Sequence, residues 1–220
     1  MALTKYNYNS FDVTPVASQA MGFNSGANGL AAISPSSQVL IKTVTASSDA
    51  TVSFVNGTDD VVFDGTYPIY KFVFINIHPA TDGARLVFQV DTGTNTSYNI
   101  TCTSTYFYCY HDEADTSAAV AYVAGRDQAQ GTAFQNISDP IGNGNDENGS
   151  GELYIFAPSS STFVKHFIGR TNIYHNDNQS VDNYSAGYFN TTTALTRVQF
   201  KMHSGNVDAG TIKLYGIKDS

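Results

Sequence analysis

Charge is scarce in this sequence. Charged residues make up 14% of the 220 positions, against about 25% in an ordinary soluble domain. Basic residues are scarcer still: 11 Lys and Arg stand against 19 Asp and Glu, for a formal net charge of −8. No Lys/Arg cluster occurs, and a phosphate backbone or an anionic membrane surface is attracted by basic stripes and repelled by acidic ones. Direct nucleic-acid binding and membrane association are therefore not expected. No apolar run approaches the roughly 18 residues of a membrane span, and the first residues carry no sustained apolar core of a secretory signal. Catalytic signatures are missing too. There is no G-x-S-x-G, P-loop, G-x-G-x-x-G or H-E-x-x-H. No cofactor is expected, and no enzyme activity has residue-level support.

Cysteine is limited to Cys102 and Cys109, in "NITCTSTYFYCYHDE". On one continuous strand they would lie roughly 23 Å apart on opposite faces, too far for a disulfide. Both are expected to be reduced and to act as packing residues.

Asn, Thr, Ser and Gly replace the missing charge, and 14 Phe and 14 Tyr supply a core, each ring burying on the order of 150–250 Å². A chain of this length buries about 70% of its unfolded surface. Period-two alternation recurs from Gln38 onward: "QVLIKTVTA", "ATVSFVNG", "DDVVFDG", "PIYKFVFINIHP", "ARLVFQVDTG", "SYNITCTSTYFYCYHD" and "AAVAYVAG". The fourth carries Tyr70, Phe72 and Phe74 on one face and Ile69, Lys71, Val73 and Ile75 on the other. Largely apolar on both sides, it predicts a central strand covered by two layers. The fifth and sixth read as a pair across "DTGTNT", and "AAVAYVAG" as a short strand or edge. Residues 126–151 form the longest connection. Strands resume at "ELYIFAP", "TFVKHFIGRTNIY", "SVDNYSAGYFN" and the pair within "TALTRVQFKMHSGNVDAGTIKLYGI". About ten antiparallel strands with turns between them and no three-turn amphipathic helix predict one all-β domain, a β-sandwich or jelly roll, over 37–220. Residues 1–36 show neither period and read as an N-terminal arm whose Tyr6, Tyr8, Phe11 and Phe23 contact a neighbour.

"YHDEAD" gathers His111, Asp112, Glu113 and Asp115. Paired carboxylates suit glycoside hydrolysis, but the setting reads as a solvated turn. "GNGNDENGSGE" offers Asn143, Asn145, Asp146, Glu147 and Glu152 as hard oxygen ligands, without the EF-hand spacing. The histidines, His78, His111, His166, His175 and His203, lack paired ligand spacing. The most binding-like stretch is "IYHNDNQSVDNYSAGYF". There Tyr174, His175, Asn176, Asp177, Asn178 and Tyr184 combine aromatic platforms with hydrogen-bonding groups suited to a surface glycan or a partner.

The stretches "TKYNYNSFDVTPVASQAMGFNSGANGL", "DGTYPIYKFVFINIHPATD", "SAGYFNTT" and "SGNVDAGTIKLYGI" resemble a family of bacteriophage virion structural proteins common among phages of marine bacteria, cyanophages included. The resemblance implies a β-sandwich component of a phage particle, assembled in the host bacterial cytoplasm and resident in the virion. It supplies no catalytic residues. Its expected partners are other virion proteins, the major capsid protein or tail components, with a homotrimer as the expected self-assembly. Capsid decoration is the leading expectation, and a tail- or fibre-associated glycan-binding module is the alternative.

Overall fold

Alternation of inward and outward side chains builds almost every element of this chain. The computed structural model describes residues 20–23, 30–33 and 37–219, and within them the fold is all-β. In chain order the strands are β1 (Ala20–Phe23), β2 (Leu30–Ile33), β3 (Gln38–Asp49), β4 (Val52–Val55), β5 (Ile69–Pro79), β6 (Leu86–Thr92) and β7 (Cys102–Asp112). They continue with β8 (Ala118–Tyr122), β9 (Gln135–Asn136), β10 (Gly149–Phe156), β11 (Lys165–His175), β12 (Gln179–Phe189), β13 (Leu195–Met202) and β14 (Val207–Ile217).

Twelve of these strands form two antiparallel sheets. The larger has eight strands in the order β3-β14-β5-β10-β11-β12-β7-β8, and the smaller has four, β4-β13-β6-β9. Strands β1 and β2 pair with each other as a hairpin inside the segment expected to be an irregular arm. Of the aromatic arm residues, Tyr6, Tyr8 and Phe11 lie outside the described residues, and Phe23 closes β1.

Aromatic rings join the two sheets into a sandwich. Phe54 of β4 and Phe200 of β13 stand edge-on to Phe72 of β5, at 5.2 and 5.0 Å between ring centroids. Phe88 of β6 meets Phe167 of β11 at 5.1 Å and Phe189 of β12 at 5.6 Å. Edge-to-face geometry is what the ring quadrupoles favour. The eight-plus-four division holds more strands than the eight-stranded jelly roll.

Strand β11 shows how the pattern sorts side chains. Lys165, Phe167, Thr171 and Ile173 are buried, whereas His166, Ile168, Arg170 and Asn172 face outward. The Lys165 side chain is fully buried, and its ammonium donates to the carbonyls of Phe163 (2.8 Å) and Thr191 (3.2 Å). Burial holds its pKa below the usual lysine value.

The large sheet is wider than its partner, and the surplus is covered differently. Over β12 and β7 the connection between β8 and β10 lies against the inner face through hydrogen-bonded polar groups. Asn183 is central and fully buried. Its amide donates to the Thr171 carbonyl at 3.1 Å, and its oxygen accepts the Tyr106 hydroxyl at 2.7 Å and the Asp139 N–H at 3.1 Å. Beside it the Ser104 hydroxyl donates to Gln135 at 2.6 Å, and Arg126 holds Asp139 at 3.1 Å. The interior thus passes from rings to amides along one sheet.

Three sequence expectations are corrected by this topology. Strand β5 buries Tyr70, Phe72 and Phe74, but its other face is open: Val73 is half-buried and Ile75 exposed. An apolar outer face imitates a doubly covered strand in sequence. "DDVVFDG" is not a strand, although Val61 and Phe63 reach the core. The pairs read from proximity in sequence are also split between sheets: β6 and β13 belong to the small sheet, and β7 and β14 to the large one.

Candidate binding surface

Strand register brings together stretches that lie far apart in sequence. The end of β7 pairs with the start of β12, Asp112 opposite Gln179 and His111 opposite Ser180. The Glu113 N–H then donates to the Asn178 carbonyl at 3.0 Å. On the other side of β11, the Tyr174 N–H donates to the Asn148 carbonyl at 2.9 Å. The "YHDEAD" turn, the β11–β12 turn and the loop 142–148 therefore meet at one end of the large sheet's outer face.

Between them runs an open groove of about 480 Å³. Tyr174, Glu113, Asp146, Asn148 and Gln179 line it, with Ser150 and Asn172 on its floor. The floor continues into a second hollow of about 480 Å³ that ends at Glu152, Arg170 and Asp182. Gly151 sits in this floor because a Cβ there would lie 2.3 Å from the Arg170 carbonyl oxygen and 2.6 Å from the Thr171 Cα. The Glu113 carboxylate beside Tyr174 pushes its phenol pKa up. No Lys or Arg lines the first groove, while Asp112, Glu113 and Asp146 do, so its field suits neutral or cationic ligands.

The remaining acidic groups have structural work. Asp112 accepts the N–H groups of Thr116 and Ser117 at 2.8 and 2.9 Å and the Thr116 hydroxyl, which closes the turn. The hydrogen bonds from Thr116 and Ser117 hold its carboxyl below the usual range. His111 and Asp115 form an exposed pair at 3.1 Å. Glu147 accepts the Gly144 N–H, and Glu152 pairs with Lys71 at 2.7 Å. Among the described residues, no three His, Cys, Asp or Glu side chains are grouped to hold a metal.

The six residues singled out around Tyr174 do not form one site. His175 points inward, 3.8 Å from Asp139, and Asp177 lies 3.7 Å from its other ring nitrogen. Asn176 rests against Gly83. Asn178 takes the left-handed turn position (φ 57°), and its oxygen accepts the Tyr174 hydroxyl at 3.3 Å. Tyr184 lies further along the outer face, stacked on Phe107 with centroids 4.7 Å apart and rings 3° from parallel. Arg170 lies 5.1 Å over Tyr184, clamped by three hydrogen bonds to Asp182. The bonds from Arg170 hold the Asp182 carboxyl low, and the Tyr184 hydroxyl, which donates to that carboxylate at 2.9 Å, has its pKa pushed up by it.

This outer face is the other notable feature. One register line crosses all eight strands: Thr43, Lys213, Val73, Glu152, Arg170, Tyr184, Phe107 and Tyr122. Its β8 end is apolar and open, with Val120 76%, Tyr122 58% and Phe107 40% exposed, and Ile168 on β11 adds a separate exposed apolar group. Sequence reading passed over Phe107 and Tyr122. The signal was the aromatic residues on both faces of "TYFYCY", which one buried face cannot absorb. Cys109 lies half-buried on this face, while Cys102 is buried opposite, its thiol pushed up to about 12 by burial. A thiol so shielded stays protonated and unreactive. His166 is exposed there too, 5.9 Å from Tyr188.

No protein-family model matches this chain, and neither a curated protein nor a solved structure does so.

Proposed function

We propose that this chain is a non-enzymatic structural protein of a bacteriophage particle, a decoration protein on the capsid exterior. It contacts other virion proteins through the outer face of its eight-stranded sheet. The observation that carries this reading is the apolar end of that face, where Val120, Tyr122 and Phe107 stand open to solvent. Such a cluster marks an interaction surface, and Tyr and Phe are enriched at interface cores. The resemblance of the sequence to phage virion proteins supplies the setting. Image reconstruction of intact particles tests it. Density for this fold on the capsid shell is expected; density in the tail overturns the placement, and absence from purified particles overturns the whole reading.

The groove favours a second reading, a tail- or fibre-associated module that binds host-surface glycans. Tyr174 offers a ring for stacking, and Asn148, Asn172, Gln179 and Glu113 offer hydrogen-bonding groups around it. On this reading a glycan array returns neutral or amino sugars, and Tyr174→Ala weakens binding at least tenfold. Asp177→Ala leaves it unchanged, since Asp177 does not line the groove. Silence across the array excludes the module.

A further inference from the structure

Strand β8 ends the large sheet. It pairs with β7 on one side and with nothing on the other among the described residues. The phase of its hydrogen bonds is set at both ends: the Asp112 N–H donates to the Ser117 carbonyl, and the Val123 N–H to the Tyr106 carbonyl, each at 3.0 Å. In an antiparallel ladder the direction alternates from residue to residue. Ser117, Ala119, Ala121 and Val123 therefore turn their backbone groups to β7. Ala118, Val120 and Tyr122 turn theirs outward, three N–H and three C=O groups along a bare edge.

Natural edges are guarded by charges, prolines, bulges or a covering loop. From Ser117 to Gly125 there is no charged residue and no proline. The opposite edge of the same sheet, β3, does carry a charge, Lys42, held by Asp59 at 3.2 Å. The side chains of Val120 and Tyr122 on the bare edge are also among the most exposed apolar groups of the outer face.

We propose that β8 pairs antiparallel with β8 of a second copy, across a two-fold axis at Val120, so that two eight-stranded sheets become one. Self-complementarity of the edge decides for a second copy over a foreign strand. The chain carries a net −8, and the turn before β8 holds Asp112, Glu113 and Asp115. Net charge opposes association of two copies, but residues 118–122 carry no charge, and the nearby Asp127 carboxylate is held by the Tyr122 hydroxyl. The outward groups are also symmetric about Val120: Val120 meets its counterpart, and each Ala118 meets a Tyr122, a small residue against a large one. All six outward groups of each strand's edge then find partners, and the apolar ends of the two outer faces become one surface. An isologous contact of this kind closes on itself. The pairing goes beyond the virion reading and does not depend on it.

Light scattering coupled to gel filtration of the full chain is the test. The wild-type protein is expected at twice the monomer mass. Val120→Pro removes only an N–H that faces away from β7, a position where edge strands tolerate proline. It is expected to run as a folded monomer, and Val120→Lys is expected to do the same by placing like charges opposite each other. The Lys variant decides alone if the Pro variant fails to fold. A wild-type monomer at micromolar concentration overturns the proposal. So does any oligomer that folded Val120→Lys leaves intact, a trimer included.

Discussion

Phe200→Ala is expected to lower the free energy of unfolding by about 3–5 kcal/mol, the range for removing a buried aromatic side chain. Phe200 is fully buried on β13, the second strand of the small sheet. Its ring meets Phe72 at 5.0 Å and Phe74 at 5.3 Å across the sandwich, and Phe54 and Phe88 of its own sheet at 6.1 Å each. Four rings therefore lose a neighbour at once, and rings held on two sheets cannot collapse into the space. Net stabilities are only about 5–15 kcal/mol, so the variant is expected near the threshold of folding. Denaturant titration checks this: the midpoint falls with little change in slope. Phe163→Ala is the control, since that ring is exposed, and its midpoint is expected to stay put. A Phe200→Ala midpoint equal to wild type would mean that the two sheets are not held by this cluster.

Asn183→Ala is expected to cost about 2–4 kcal/mol, because each buried polar group left without a partner costs about 1–3 kcal/mol. The Tyr106 hydroxyl, the Asp139 N–H and the Thr171 carbonyl would all lose their bond to Asn183. Asn183→Asp separates loss of volume from loss of hydrogen bonding. The new carboxylate keeps the shape but meets the Thr171 carbonyl with an acceptor and lies near Asp139. Its pKa in the folded state is raised, so the folded state binds the proton more tightly than the unfolded one. Its destabilisation is therefore smallest below the unfolded carboxyl pKa and grows as pH rises through the folded value. Thermal melts at pH 4 and pH 7 measure the difference. Equal losses at both would mean that Asn183 is a spacer and not the hub of a network.

These two sites differ in how openly the sequence announced them. The aromatic core follows from period two: "RVQFKM" places Val198, Phe200 and Met202 on one side, and they are buried as a set. The amide-lined interior left no such signal. Ser104, Asn183, Ser185 and Gln135 are buried, yet each is a residue type that alternation assigns to solvent. The arrival of residues 126–139 from elsewhere in the chain completes their partners. The groove was half legible. Tyr174 and the carboxylates of "YHDEAD" were each marked as chemistry-bearing, but the register that unites them, Gln179 against Asp112, is a long-range fact. The inward turn of His175 follows from its place in β11, where it shares a face with Ile173 and Thr171. Partner choice was the least legible property. Period two shows that β13 and β14 are strands without showing that they join different sheets.

Strand β14 lies between β3 and β5, and β13 lies between β4 and β6. The two segments translated last among the described strands are therefore the ones that tie β3 and β4 to the rest. Until residues 195–217 have left the ribosome, β3 and β4 have no neighbour in either sheet, and aromatic side chains such as Phe54 and Phe72 wait uncovered. The last step in folding this topology waits for these segments and is slow, as non-local strand pairing requires. A nascent chain cut short before β13 is a sticky fragment that chaperones must hold or proteases remove.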